Sequence, residues 1–216
     1  MAVATVVAVG NVADPLVEAI GKRLPRINVG PGSDPSAEMG PLVTKDHHAR
    51  VVSYVDKGEK EGAKLLEDGR KAKIPGHEQG FFLGPCLFDA VKPEMSIYTD
   101  EIFGPVLSVV RAEGYDEAIG LVNANRYANG VAIFTNDGGA ARRFQNEVQV
   151  GMVGVNVPIP VPVAYYSFGG WKASLFGDVH MYGPEGIQFY TRAKIVTSRW
   201  PDPGTSKVDL GFPRTR

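Results

Sequence analysis

Cysteine is almost missing from this 216-residue sequence: Cys86 is its single thiol. An internal disulfide is thereby excluded, and a reducing, cytoplasmic compartment is the expectation. A surplus of charge is missing too. Twenty-three Lys and Arg stand against 24 Asp and Glu, a formal net charge of -1. That balance gives no reason to expect nucleic acid or an anionic membrane as a partner. Long apolar runs are absent. The start, Met1 to Val9, is apolar but lacks a preceding positive region, and Gly10-Asn11 closes it far short of a bilayer crossing. It reads as a buried helix-to-strand segment. Histidine is scarce, and no H-x-x-x-H or Cys–His spacing suggests a metal. His47, His48, His77 and His180 therefore read as solvated surface residues. No G-x-G-x-x-G follows a strand, and the phosphate-loop and nucleophile-elbow patterns are missing, as are internal repeats.

What remains is the composition of a core-forming globular chain, 44% hydrophobic and 22% charged. Asp14-Pro15 suggests a helix start, with Asp14 as N-cap and Pro15 at the first helical position. Leu16, Val17, Ile20 and Leu24 form its apolar stripe. Val29 to Pro41 is rich in Gly, Pro, Ser and Asp and reads as a loop. Thr44 caps a second helix, faced by Val51, Val52 and Val55 and ending at Gly58. Gly62 to Leu66 suggests a short strand, and Phe81 to Val91 a strand broken at Gly84-Pro85. Tyr115 to Asn125 and Ala140 to Val148 read as helices. Val131 to Phe134 and Gly151 to Val157 read as strands, the former buried. Strands alternating with helices predict an α/β fold with a parallel-rich sheet and flanking helices. Pro158, Pro160 and Pro162 each remove a ladder donor, so that run is an extended loop. Gly183 to Tyr190 suggests a short helix, and Ala193 to Trp200 a strand-like arm.

The chain is organised around Asp100-Glu101-Ile102-Phe103-Gly104-Pro105-Val106-Leu107, a loop that turns at Gly104-Pro105 into a buried strand, Val106 to Val110. A carboxylate and an aromatic ring two positions apart at a strand mouth suit a ligand with hydroxyls and a flat ring. An ionised carboxylate, acceptor-only with two oxygens, can grip two vicinal hydroxyls. An exposed carboxylate beside a core phenylalanine is the plainer alternative. Cys86, between Pro85 and Leu87, has no neighbouring base in sequence and reads as a buried small hydrophobe.

The core of that loop, E-I-F-G-P, resembles the aldehyde dehydrogenase superfamily. Gly62-Ala63-Lys64, Gly84-Pro85, Asn129-Gly130, Ala132-Ile133-Phe134-Thr135 and Gly151-Met152-Val153 occur in the order found there. The string Gly154-Val155-Asn156-Val157-Pro158-Ile159-Pro160-Val161-Pro162, with Gly177-Asp178, Tyr182-Gly183 and Gly186 to Thr191, is similar to the methylmalonate-semialdehyde dehydrogenase family. The resemblance implies NAD as cofactor, coenzyme A as acyl acceptor and a small semialdehyde as substrate. It also implies a cysteine nucleophile that forms a thioacyl-enzyme. By that likeness the sequence starts just after the catalytic cysteine, so no catalytic residue is expected within it. The plain alternative is a non-catalytic subunit acting in assembly or regulation.

The resemblance further implies that Glu101 accepts from the nicotinamide ribose hydroxyls and that Phe103 packs beside the nicotinamide. Asn156, the loop from Pro158, and Phe168 would line the aldehyde channel. Residues 1–190 would form an incomplete catalytic domain, and 191–216 an oligomerisation arm and tail. The arm's residues 191–200 would pair with a neighbouring subunit, most simply in a two-fold homo-oligomer.

Overall fold

The computed structural model describes residues 2–163 and 165–200. The tail from Pro201, expected to wrap a surface or fray, lies outside the described residues. A four-stranded sheet forms the centre, built from β1 (Thr5–Val9), β2 (Lys64–Glu67), β3 (Cys86–Asp89) and β4 (Val106–Ala112) in the order β1-β4-β3-β2. Both β1 and β3 run parallel to β4, while β2 pairs antiparallel with β3. The sheet is therefore parallel-rich, as the alternation of elements predicts.

The two central strands are covered on both faces. Along β3, Cys86 and Phe88 point into one core cluster and Leu87 into another; along β4, Val106 and Val110 join the first and Val109 the second. This period-two division is what the pleat demands. The first cluster is roofed by α2 (Lys45–Lys60) and the short α3 (Ser96–Thr99), through Val51, Val55 and Ile97. The second is covered by α1 (Ala13–Gly21), through Ala13 and Val17, with Leu16, Ile20 and Leu24 packed beside them. Complete burial of an aliphatic side chain such as Val51 or Val55 is worth about 1.5–3 kcal/mol.

A further group of elements follows β4. α4 (Tyr115–Ala124) and α5 (Gly138–Glu147) share a core with the strand pair β6 (Gly130–Ile133) and β7 (Met152–Val155), which run parallel. β5 (Tyr127–Ala128) and β8 (Trp171–Lys172) form a small antiparallel pair. α6 (Glu185–Tyr190) is the last helix. Among the described residues no helix is long and apolar enough to cross a membrane. Nor does any group of three or more His, Cys, Asp or Glu there converge to hold a metal ion.

Several local expectations are corrected. The first segment is strand alone, because β4 offers Thr5–Val9 a parallel ladder. Asp14 is not an N-cap: Val12 holds that position without a side-chain bond, and Asp14 lies inside the first turn, ion-paired to Arg111. Thr44 does cap α2, accepting from the His47 amide, but the helix passes Gly58 and ends at Lys60. Gly58 is buried because an added Cβ would stand 3.0 Å from both Phe88 and Ile97, so it permits contact instead of ending the helix. Only Cys86–Asp89 of the Phe81 to Val91 run is strand. β6 is half-buried, and Phe134 beyond its end is 66% exposed instead of buried. Residues 191–200 form neither helix nor strand, having no ladder partner among the described residues.

One buried charge ties two strands of the sheet, and its partner reaches on to α1. Asp89, at the end of β3, is buried and receives two bonds from Arg111, at 3.0 Å and 2.8 Å. Arg111 also reaches Asp14 of α1 at 2.7 Å. The guanidinium, and to a lesser degree the Ala90 amide, hold the Asp89 carboxyl below the usual carboxylate range against the opposing effect of burial. A depressed folded pKa stabilises above the unfolded value of about 3.9 and loses that contribution as pH falls through the folded one. Arg111→Met is expected to destabilise the chain by about 2–3 kcal/mol at neutral pH, the scale of lost charged hydrogen bonds. Urea unfolding at descending pH should show the gap from the natural chain narrowing below about pH 4.

Candidate functional site

One face of α2 builds the loop that enters β4. Residues 47, 50, 51 and 54 recur at i, i+3, i+4 and i+7 and so share that face. The Arg50 guanidinium donates to the Glu101 and Ile102 carbonyls, each at 2.8 Å. His47 Nε2 lies 2.8 Å from the Phe103 carbonyl, which can only accept, so that nitrogen carries the hydrogen. Tyr54 donates to Asp100 Oδ2 at 2.9 Å, a bond that, with burial, holds its phenol above the usual range. Four consecutive residues, 100–103, are thus pinned from one helix. Val51 completes the grip: a Cβ on Gly104 would stand 2.6 Å from Val51 Cγ1, so only glycine lets the loop lie this close.

This anchoring turns Ile102 into the core and leaves the side chains of Glu101 and Phe103 outward. Phe103 adopts φ 60, a left-handed backbone that costs a non-glycine residue about 1–2 kcal/mol, and its ring is 77% exposed. The plainer expectation of a core phenylalanine is therefore not met; Ile102 takes the core position instead. Glu101 is exposed, and its carboxylate makes no hydrogen bond among the described residues. A fixed backbone with an uncommitted carboxylate and an uncovered ring is an arrangement able to receive a polyhydroxylated, planar ligand.

The second group of residues lies elsewhere, on the chain leaving β7. Asn156, at φ 56, is spent on structure: its Oδ1 accepts from the Thr135 amide at 2.9 Å and its Nδ2 donates to the Thr135 carbonyl at 3.1 Å. It brackets the ends of β6 and β7. Pro158 is exposed in a loop with Ile159 and Val161. Phe168 is half-buried and stacks on Tyr182 at 4.5 Å and 19°. No hydrogen bond or ring contact joins Glu101 or Phe103 to Asn156, Pro158 or Phe168 among the described residues.

Cys86 is 1% exposed, and burial pushes its thiol up to about 11. Its sulfur accepts from the Gly69 amide at 3.3 Å. A thiol held protonated is a poor nucleophile. His47 and His48 are not solvated as expected; both are half-buried, and His48 Nε2 faces the Phe82 carbonyl at 3.1 Å. Sequence reasoning missed His47, Arg50 and Tyr54 as the holders of the loop. The signal available was their spacing around Val51, which places polar groups on the flank of a buried position.

The profile of the aldehyde dehydrogenase family matches residues 1–196, and the chain belongs to that family. It is 55% identical over 215 residues to the malonate-semialdehyde dehydrogenase of Pseudomonas aeruginosa, covering 99% of this chain and 43% of that protein. Among solved structures it is similar to the methylmalonate-semialdehyde dehydrogenase of Oceanimonas doudoroffii, with TM-score 0.86, 51% identity and coverage of 93% of this chain and 41% of that one. It is also similar to a Mycobacterium tuberculosis aldehyde dehydrogenase complexed with NAD+, with TM-score 0.79, 32% identity and coverage of 88% and 38%. The chain thus spans less than half the length of the relatives it matches.

Arg50→Ala removes two charged donors from the loop and is expected to destabilise the fold by about 2 kcal/mol. Amide exchange should accelerate most at Ile102 to Gly104, and Arg50→Lys should recover only part of the loss, lacking the planar fork. Alkylation of Cys86 by iodoacetamide should be negligible at neutral pH in the folded chain and rapid in urea.

Proposed function

We propose that this chain is the C-terminal part of an NAD-dependent, coenzyme-A-acylating dehydrogenase of malonate or methylmalonate semialdehyde. The whole enzyme would convert semialdehyde, coenzyme A and NAD to acyl-CoA, NADH and carbon dioxide. The observation that carries the reading is the clamped loop: Glu101 stands free on a backbone whose carbonyls are tied to Arg50 and His47. Its free oxygens fit the paired hydroxyls of a nicotinamide ribose, and the exposed Phe103 ring fits the flat nicotinamide. NAD, when bound, supplies the hydride acceptor. The part of this chain is to orient that cofactor and, through the Pro158 loop and Phe168, to shape the approach to it. Asn156 contributes by bracing the base of that loop.

The nucleophile is not assigned within the chain, because Cys86 is buried and its thiol is pushed up to about 11. Residues 1–190 would be catalytic-domain sequence and 191–216 an arm and tail. Ile195, Val196 and Trp200 are 94%, 74% and 92% exposed, which supports pairing of 191–200 with a second copy in a homo-oligomer. The same exposure favours the second reading, a non-catalytic subunit acting in assembly or regulation. The single reduced cysteine fits a cytoplasmic setting.

The purified chain is expected to form no NADH from semialdehyde, NAD and coenzyme A; coenzyme-A-dependent turnover by it alone would overturn the assignment of no nucleophile. In a fusion that places the upstream segment of the Pseudomonas aeruginosa relative before this chain, activity should appear. There Glu101→Gln should lower kcat/KM for NAD by about tenfold or more, the scale of a lost charged hydrogen bond.

A further inference from the structure

The segment Ser167 to Gly170 is gripped by the turn that leads into α6. Ser167 Oγ lies 2.6 Å from Glu185 Oε2 and 2.9 Å from His180 Nδ1. The other ring nitrogen, Nε2, faces the Gly170 carbonyl at 3.4 Å, and the His180 amide reaches Glu185 Oε2 at 3.4 Å. Packing reinforces these bonds. Beyond the Phe168–Tyr182 stack, a Cβ on Gly183 would stand 2.7 Å from the Ser167 amide nitrogen, and one on Gly169 would stand 2.8 Å from the His180 ring.

A serine, a histidine and a glutamate in contact invite comparison with a hydrolytic triad, but the order is wrong for one. Here the hydroxyl stands between the imidazole and the carboxylate, so its hydrogen is directed away from the base. Counting hydrogens gives a different reading. Glu185 has its carboxyl held below the usual range by the Ser167 hydroxyl and the His180 amide, and as a carboxylate it can only accept. Ser167 therefore gives its one hydrogen to Glu185, and its oxygen must accept from Nδ1–H of His180. In the neutral ring this leaves Nε2 with a bare lone pair towards the Gly170 carbonyl, two acceptors face to face. A second ring proton turns that repulsion into a donor–acceptor contact and sets a cation 3.8 Å from Glu185. The groups facing the ring are Glu185 from α6, the Ser167 hydroxyl and the Gly170 carbonyl. Among the described residues no other titratable side chain is in hydrogen-bond or ion-pair contact with it.

We propose that His180 is a proton-operated positioning residue: its imidazolium clasps Ser167–Gly170 to the 180–186 turn, and its neutral form releases the Gly170 end. Phe168 sits inside the clasped segment, and Gly170 leads directly into β8. Protonation therefore tightens the segment between the stack on Tyr182 and the β5–β8 pair. If Phe168 lines the aldehyde channel, the clasp sets how firmly that wall is held; this consequence rests on the dehydrogenase reading, while the clasp does not.

The test is amide exchange of Gly169 to Lys172 in the full 216-residue chain, corrected for the intrinsic pH dependence. It is followed from about pH 5.5 to about pH 8.5, the range in which histidines change charge. Trp171 emission in a Trp200→Phe background is the second readout. Protection should fall about tenfold as the ring loses its proton, the scale of one lost charged hydrogen bond. His180→Gln should give protection independent of pH. Glu185→Gln, whose amide can donate to Ser167 Oγ and so free that hydroxyl to donate to Nδ1, lets the neutral ring keep its hydrogen on Nε2 and should shrink the step. Flat protection in the natural chain, or a step that persists in His180→Gln, would overturn the clasp. Where His180→Gln fails to fold, Glu185→Gln decides, and an undiminished step overturns it. Neither readout uses NAD or turnover, so failure of the clasp and failure of the cofactor reading are separable.

Discussion

Burial of β3 and β4 on both faces is the constraint from which the remainder of the structure follows. A strand covered on both sides needs two roofs, and α1 and α2 supply them from the chain on either side of the Val29–Pro41 loop. Once α2 lies against this sheet, one of its faces is committed to the apolar core, and the flank beside Val51 meets the chain entering β4. That flank carries His47, Arg50 and Tyr54, and their donors fall on four consecutive residues of the loop. The packing of a helix on a sheet thus becomes the fixing of the loop that enters β4. Because Arg50 and His47 bind backbone carbonyls and Tyr54 takes only the Asp100 carboxylate, the side chains of Glu101 and Phe103 remain uncommitted among the described residues.

This division of labour explains why the loop keeps a costly geometry. Phe103 holds a left-handed backbone, and Gly104 lies so close to Val51 that a methyl group would overlap it. Strain of this kind persists where surrounding contacts outweigh it. The second region of the chain is built otherwise. There Asn156 uses its amide to tie two strand ends together, and Phe168 is held by stacking. One region presents free polar groups on a fixed backbone, and the other presents apolar and proline surface on braced turns.

Much of this was legible in the sequence, for identifiable reasons. The Thr44 cap, the Leu16–Val17–Ile20 stripe and the strand after Gly104-Pro105 are local patterns, and local patterns survive packing. What could not be read depends on residues distant in sequence. Asp14 has the chemistry of an N-cap, but α1 already starts at Ala13, and the carboxylate reaches Arg111 on another element instead. Gly58 has the chemistry of a helix stop, but Phe88 and Ile97 need the space that its missing side chain leaves. His47 and His48 resemble surface residues until the carbonyls of Phe103 and Phe82 arrive beside them.

The Arg111 fork joins two unequal anions: the Asp89 side chain is 8% exposed and the Asp14 side chain 85%. Dissolved ions screen the second and scarcely reach the first, since exposed pairs weaken with ionic strength and sheltered ones do not. The bond within the sheet is therefore insensitive to salt, and the bond from sheet to α1 is not. In concentrated electrolyte the sheet keeps its internal tie, while α1 leans more on its apolar stripe.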